Sequence, residues 1–426
     1  MSSHCSHTSK SEDTEVPVLI EENSNCAASE KVKYGELVVL GYNGSLPGVP
    51  QHRRRRSKYV LYRRDSPNGI KPSGQSAGPS SLSSKATIGT KWFSIACENQ
   101  ASVIEYIPDD TTDMFQVGRS GDSEIDCVVW DVFPGNPSFD CGTSGVSRFA
   151  CRLIADRTRP QIVRIYAAAF NSAQRIFLGK EAITWQDRNG ELDGLTTNGV
   201  MIYKPQGNFL GGEVEPGFWW REVSIGGKIF SLRLPRCSQK RGKLIEIENN
   251  VLQDGTLIDI CGATLLWRSV EGLKKSPTKS DLEESVGELN SGKSVCPVGL
   301  NTLVIPRKIT PDMNEDIDDK QQPYVYLKCG HVRGSHELGA RSSSFHSCPL
   351  CGIMGRVVKL CMGMEPAFYV DSGPPTYVFN PCGHMASEKT VKYWVNVPIL
   401  LGLTGFYNSV CPFCKVLLDG YVRLIY

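Results

Sequence analysis

The sequence predicts a mainly β protein, an antiparallel β-sandwich with insertions followed by a zinc-stabilised C-terminal domain. Two observations carry this. From Lys33 to about Trp267 the chain is a series of short β-branched and aromatic runs, punctuated by Gly, Pro, Asn and Asp, in which no helical period persists. Beyond Val295 come four Cys and His pairs at metal-ligand spacing. A chain of 426 residues also exceeds the usual size of a single core, so more than one domain is expected.

The elements follow in order. Residues 1–30 are polar and read as disordered. Residues 31–272 hold the strand signals, among them "ELVVLGYNG", "KYVLYRR", "MFQVGRS", "IDCVVWDV", "SRFACRLIAD", "QIVRIYAAAF", "GVMIYKP", "KIFSLRL" and "ATLLWRS". That stretch is long for one sandwich, and two segments read as its insertions: Gln51 to Lys91, rich in Ser, Gly and Arg, and "DVFPGNPSFDCGTSG" between two strand signals. Residues 273–294 are polar and charged and read as a linker, with one short helix around "DLEESVGEL". Residues 295–426 are the cysteine-rich domain.

Composition narrows the classes. Apolar residues at 40% and charged residues at 22% suit a soluble globular protein. No apolar run reaches about 18 residues. The start "MSSHCSHTSKSEDTEVPVLIEEN" has neither a basic n-region nor an apolar h-region, so the expectation is a cytoplasmic protein without a membrane span. A net charge of +2 makes no case for nucleic acid. The run Arg53 to Arg56 reads as a solvated loop beside a strand of the first insertion, since no basic groove or base-stacking pattern accompanies it. The 16 cysteines are expected to remain thiols or to bind metal.

The ligand candidates are Cys329, His331, Cys348, Cys351, Cys382, His384, Cys411 and Cys414. Two ligands on one tight turn can reach the same ion while a second turn supplies the other two, so four pairs suffice for two Zn2+ ions. The Gly inside each Cys-Gly-His and the Pro inside each Cys-Pro-x-Cys suit such turns. Pairing is open: neighbouring pairs share a metal in a sequential arrangement, alternate pairs in a cross-braced one. Loop closure favours the nearer partners by only about 0.6 kcal/mol per doubling of length, too little to choose. Cys296, Cys361, His336 and His346 read as structural or exposed.

Three further motifs, Gly118-Arg119-Ser120, Ser147-Arg148 and Thr197-Asn198-Gly199, fall at strand ends or turns. Arg offers charge-assisted bonds to phosphate, the hydroxyls donate, and Asn can fix a neighbouring peptide backbone, which together suit an anion pocket.

The ligand order, together with "CPVGLNTLVIP", "YLKCGHV", "FYVDSGPPT" and "CGHMASEKT", is similar to the RING-like domain of the Pellino proteins. The likeness continues through "LVVLGYNGSLP", "TDMFQVGRS", "SRFACR", "RIYAAAF", "DGLTTNGV" and "LIDICGATLLWR", nearly the whole chain. It implies a forkhead-associated (FHA) sandwich with a wing built from the insertions, then a RING-like domain. It further implies an E3 ubiquitin ligase that binds phosphothreonine on kinases of the interleukin-1-receptor-associated and Pelle type, downstream of Toll-like receptors. Lysine-63-linked chains are among the implied products, with ubiquitin and a conjugating enzyme as the other partners.

Carried over by residue, Arg119, Ser147, Arg148, Thr197 and Asn198 line the phosphothreonine site. One departure stands out, because the His of the FHA Ser-x-x-His element is Ala150 here. By analogy with RING ligases, Pro349, Leu350, Pro412 and Phe413 touch the conjugating enzyme, and Lys415 stands where many of them carry a cation facing ubiquitin. The competing reading is a non-enzymatic scaffold whose zinc sites are purely structural.

Overall fold

The structure is a computed structural model, and it describes residues 31–44, 55–77, 91–95, 103–131, 145–178, 182–186, 192–205, 207–212, 220–292, 294–306, 321–335, 345–401 and 406–426. The expectations for residues 1–30, for most of "DVFPGNPSFDCGTSG", for Arg53 and Arg54 and for His336 fall outside these residues.

Seven strands form the larger sheet, in the order Ile229–Ser231, Trp220–Val223, Val200–Tyr203, Leu257–Asp259, Thr264–Ser269, Lys33–Val39, Lys58–Tyr62, every pair antiparallel. A second sheet of four runs Cys127–Val128, Thr112–Gly118, Cys151–Asp156, Val163–Ala167, and only its first pair is parallel. Their facing sides share a core in which Leu37, Val39, Ile202, Ile258, Leu265 and Trp267 meet Phe115, Val117, Leu153 and Ile165. A third sheet runs Arg175–Leu178, Lys91–Ile95, Val103–Asp109, Gly69–Ala77, and of its strands only Gly69–Ala77 lies wholly within the first insertion. The insertion is not all wing: Lys58–Tyr62 pairs with Lys33–Val39 in the main sheet. Arg55 and Arg56 are exposed, as expected of a solvated loop, but the strand they precede belongs to the main sheet and not to a wing, and Arg55 lies over Trp130, 4.9 Å from the ring centre.

The larger sheet is buried on both faces. Along Lys33–Val39 and its continuation, Leu37 and Val39 point into the sandwich while Val38 and Leu40 point into a second core. Leu265 and Leu266, Ile258 and Leu257, and Ile202 and Met201 divide the same way. Period-2 alternation with both faces dry explains why these strands read as unbroken apolar runs.

The second core belongs equally to the C-terminal domain. Val38, Leu40, Tyr203, Phe209, Trp220 and Leu266 pack in one cluster with Phe368, Val370, Tyr393, Trp394, Val410 and Phe413. Polar contacts stitch the seam. Trp220 Nε1 donates to Pro398 O at 2.7 Å, and the Gly211 amide donates to Val370 O at 2.8 Å. The buried Arg268 guanidinium donates to Ala367 O and Ser276 Oγ, both at 2.6 Å, and lies 4.5 Å over the Phe209 ring. Phe209 in turn meets Tyr393 edge-on at 5.2 Å.

Between the domains, the polar stretch folds into two helices, Val270–Lys274 and Lys279–Ser291. The second starts at a Thr278 capping box and buries Leu282 and Val286 in the shared core.

The C-terminal domain holds two four-stranded sheets, Val332–Arg333, Tyr324–Tyr326, Met354–Lys359, Phe345–Ser347 and Cys361–Met362, His384–Ala386, Tyr377–Asn380, Gly420–Arg423, with the helix Glu388–Asn396. Ser387 caps that helix on the Thr390 amide, and its buried face presents Val391, Tyr393 and Trp394. Among the described residues, no helix is long and apolar enough to cross a membrane.

Candidate phosphate pocket and metal centres

Each Cys-Gly-His turn uses glycine in the left-handed region, φ +80° at Gly330 and +82° at Gly383. A Cβ there would lie 2.1 Å from Arg423 O and from Lys359 O respectively, so only glycine fits. Each Cys-Pro-x-Cys turn closes on its own backbone: the Gly352 and Lys415 amides both donate to the first cysteine's carbonyl, at 2.7 Å. Cys348 N and Cys411 N then bond across to Ile353 O and Val416 O, both at 2.9 Å.

These turns bring the eight ligand candidates into two groups, Cys329 with His331, Cys348 and Cys351, and Cys382 with His384, Cys411 and Cys414. Neighbouring pairs are therefore grouped sequentially. Within each group the donor atoms lie within 4.8 Å of one another. Tetrahedral zinc with ordinary Zn–S and Zn–N bonds puts S and N about 3.6 Å apart and two S atoms about 3.8 Å apart. Cys348 Sγ stands 3.6 Å from His331 Nδ1, and Cys411 Sγ 3.8 Å from His384 Nδ1. Both donor sets thus fit a tetrahedral ion.

Of the remaining candidates, Cys361 lies beside the second group, within hydrogen-bond reach of His384. Cys296 is buried and accepts the Gly299 and Gly334 amides, each at 3.3 Å. Cys361 is buried with its thiol toward Met362 O, and His346 lies on the half-exposed edge strand Phe345–Ser347.

The two Cys-Pro-x-Cys turns differ in surroundings. Pro349, Leu350 and Cys351 are exposed, and Phe345, Ile353 and Met354 beside them are exposed too. Pro412 and Phe413 are buried, which corrects the expectation that they are free to meet another protein. The Gly41 amide of the sandwich donates to Pro412 O at 2.7 Å. Phe413 stacks on His384 at 5.5 Å and packs on Phe368 and Tyr369, so it roofs the second metal group from within. Lys415 is likewise neither solvated nor turned to a partner: its Nζ donates to Gly262 O at 3.3 Å inside the seam.

At the sandwich end, Arg119, Ser147, Arg148, Thr197 and Asn198 gather where the 119–120, 145–148 and 196–199 turns meet. The Arg119 and Ser120 amides donate to Ser147 O and Arg148 O, both at 3.2 Å. Gly118 lets them approach, because a Cβ there would lie 2.0 Å from Arg148 O. Asn198 Nδ2 donates to Gly145 O at 2.7 Å and reaches Ser147 Oγ at 3.4 Å. Arg119 Nε donates to Val146 O at 2.7 Å, which orients the guanidinium and does not use its two terminal nitrogens. Arg148 is exposed at the rim, and Thr197 sits half-buried in the turn closed by the Gly199 amide on Thr196 O.

Three supports carry no sequence signal. With Ala150 in place of a histidine, the 145–147 loop is held from beneath by Asp131, whose carboxylate accepts the Gly145 amide at 2.8 Å and the Val146 amide at 3.1 Å. Arg233, paired with Glu222 in the core, donates to Thr196 O at 2.7 Å. Arg236, paired with buried Asp259, donates to Asn198 O at 3.3 Å. Each joins loops that are well apart in the sequence, invisible to local pattern.

The chain matches two family models: Pellino, FHA domain, over residues 25–285, and Pellino, RING domain, over residues 289–426. It is 52% identical to "Protein pellino" of Drosophila melanogaster, covering 98% of both chains. It is 47% identical to "E3 ubiquitin-protein ligase pellino homolog 2" of Homo sapiens, over 94% of this chain and 96% of the relative. With human "E3 ubiquitin-protein ligase pellino homolog 3" it shares 43% over 93% and 91%.

Proposed function

The chain belongs to the Pellino family of E3 ubiquitin-protein ligases, and on that premise we propose that it recruits phosphothreonine-bearing proteins through its FHA domain and promotes ubiquitin transfer to them through its RING domain. The partners are kinases of the interleukin-1-receptor-associated and Pelle type in cytoplasmic signalling below Toll-like receptors, and lysine-63-linked chains are among the products. The phosphate is held by Arg119, Ser147, Arg148, Thr197 and Asn198. Two zinc ions occupy the two donor groups. When bound, zinc supplies a rigid crosslink among four donors carried by two separate turns.

A RING domain brings no nucleophile to the reaction. It holds a ubiquitin-loaded conjugating enzyme beside a substrate lysine, raising effective concentration and restraining the thioester in a reactive pose. The observation that carries this reading is the asymmetry of the two turns: the first presents Pro349 and Leu350 to solvent on a metal-braced edge with Phe345, Ile353 and Met354, while the second is sealed. Exposed apolar side chains on a rigid edge suit a conjugating enzyme.

The test mixes the full chain with activating enzyme, ubiquitin, ATP and a panel of conjugating enzymes. Chains are expected with at least one of them. Absence of chains with every member of the panel, at full metal content, refutes the ligase reading. Substituting Leu350, exposed on the first turn and away from the shared core, separates ligase from scaffold, because a scaffold keeps kinase binding and signalling output while a ligase keeps the binding and loses output.

A further inference from the structure

Lys415 is 3% exposed, belongs to the RING domain, and follows directly on the metal ligand Cys414, yet its ammonium is spent on the other domain. Its Nζ donates to Gly262 O, and the nearby carboxylates of Asp259 and Asp131 supply the opposing charge. Asp131 also packs on Gly262, where a Cβ would lie 2.9 Å from its Oδ1. From there the contacts run unbroken to the pocket. Asp131 takes the Gly145 and Val146 amides, Gly145 O takes Asn198 Nδ2, and Val146 O takes Arg119 Nε. Asp259 reaches the same turn by a second route, through Arg236 to Asn198 O.

The backbone at Lys415 says that the side chain is there for this contact. Its φ of +60° lies in the left-handed region, strained for any residue with a Cβ. The matching position of the first turn is Gly352, at +73° with open space around it. The second turn forgoes the residue its own geometry favours and gains an ammonium in the seam.

We infer that Lys415 is a positioning residue for the phosphothreonine pocket: the RING domain completes, through Gly262, Asp131 and Asp259, the support of the loops that hold Arg119, Ser147 and Asn198. The inference rests on the phosphothreonine reading of the pocket. It makes phosphopeptide affinity a property of both domains together, with the second metal turn as the far end of the support.

The test uses the full zinc-loaded chain and isothermal titration with a phosphothreonine peptide, alongside its unphosphorylated form. Lys415→Gly suits the backbone of the turn and should retain both metals, while Lys415→Met keeps the side-chain length without the charge. Each is expected to weaken phosphopeptide binding about 5- to 10-fold, at the lower end of ordinary coupling between sites. Asp131→Asn should weaken it as well, and adding Lys415→Gly to Asp131→Asn should cost less than the two changes do separately. Affinity within twofold of the parent in both Lys415 variants overturns the inference. So does an unchanged Kd with a reduced binding-competent fraction, which marks a merely structural role. Arg119→Ala run in parallel keeps the two claims apart. If it weakens binding while the Lys415 variants do not, only the inference falls; if it leaves binding unchanged, the pocket reading falls and the inference with it.

Discussion

Replacing Arg119 by lysine tests the pocket more sharply than removing the charge. The guanidinium is oriented by its own Nε–H, which donates to Val146 O at 2.7 Å. Lysine keeps the positive charge but has no Nε branch, so that bond is lost, at about 0.5–1.5 kcal/mol. On the proposed reading, a fork for two phosphate oxygens shrinks to one ammonium, costing one charge-assisted bond of about 1.5–3 kcal/mol. Together the losses come to about 2–4.5 kcal/mol, or about 30- to 2,000-fold in Kd at 1.36 kcal/mol per decade. Anisotropy with a labelled phosphothreonine peptide at fixed salt reads this directly, with Arg119→Ala as the comparison. Lysine binding within threefold of the parent would mean that the residue acts as a simple charge, and the geometric account of the pocket would be wrong.

Leu350→Ala should slow chain formation several-fold while both metals and the thermal midpoint are kept, because Leu350 is exposed; equal activity at limiting conjugating enzyme would remove it from the docking edge. Phe413→Ala should behave in the opposite manner, lowering stability by about 3–5 kcal/mol as a core truncation and loosening the second metal, which denaturation with metal release can follow. Gly383→Ala, with its added methyl 2.1 Å from Lys359 O, should deplete the second centre of metal while the first is retained, by elemental analysis against the parent. Stripping bound metal with a chelator should lower protection from hydrogen exchange in Trp220–Val223 and Leu257–Asp259 as well as in the RING domain, since one apolar cluster spans both; protection lost only in the RING domain would contradict that shared core.

Much of this was legible from local pattern. A Cys-Gly-His or Cys-Pro-x-Cys turn is set by residues that touch one another along the chain, so the eight candidate ligands and the need for glycine at Gly330 and Gly383 can be read directly. The strand runs, the short helix near "DLEESVGEL" and the Gly-Arg, Ser-Arg and Asn-Gly elements are local in the same sense; strand runs and cysteine pairs divided the chain into two domains, and the likeness to Pellino sequences implied their types. The grouping of the ligands was not legible, because loop closure separates the sequential and cross-braced arrangements by too little and only the packed turns choose between them.

The interdomain seam lay further from reach. Pro412, Phe413 and Lys415 carry the same residue types whether a turn faces solvent or another domain, and it is the second dry face of the larger sheet, with Val38, Leu40, Trp220 and Leu266, that buries them. Asp131, Arg233 and Arg236 likewise look like ordinary surface charges until the fold sets them under the pocket loops. Sequence alone determines which side chains can bind metal or phosphate, since that is covalent chemistry and short-range turn geometry. Which of those turns stays open to a partner, and what holds the pocket from below, is decided by tertiary burial, where contacts between distant residues remove some groups from water and leave others in it.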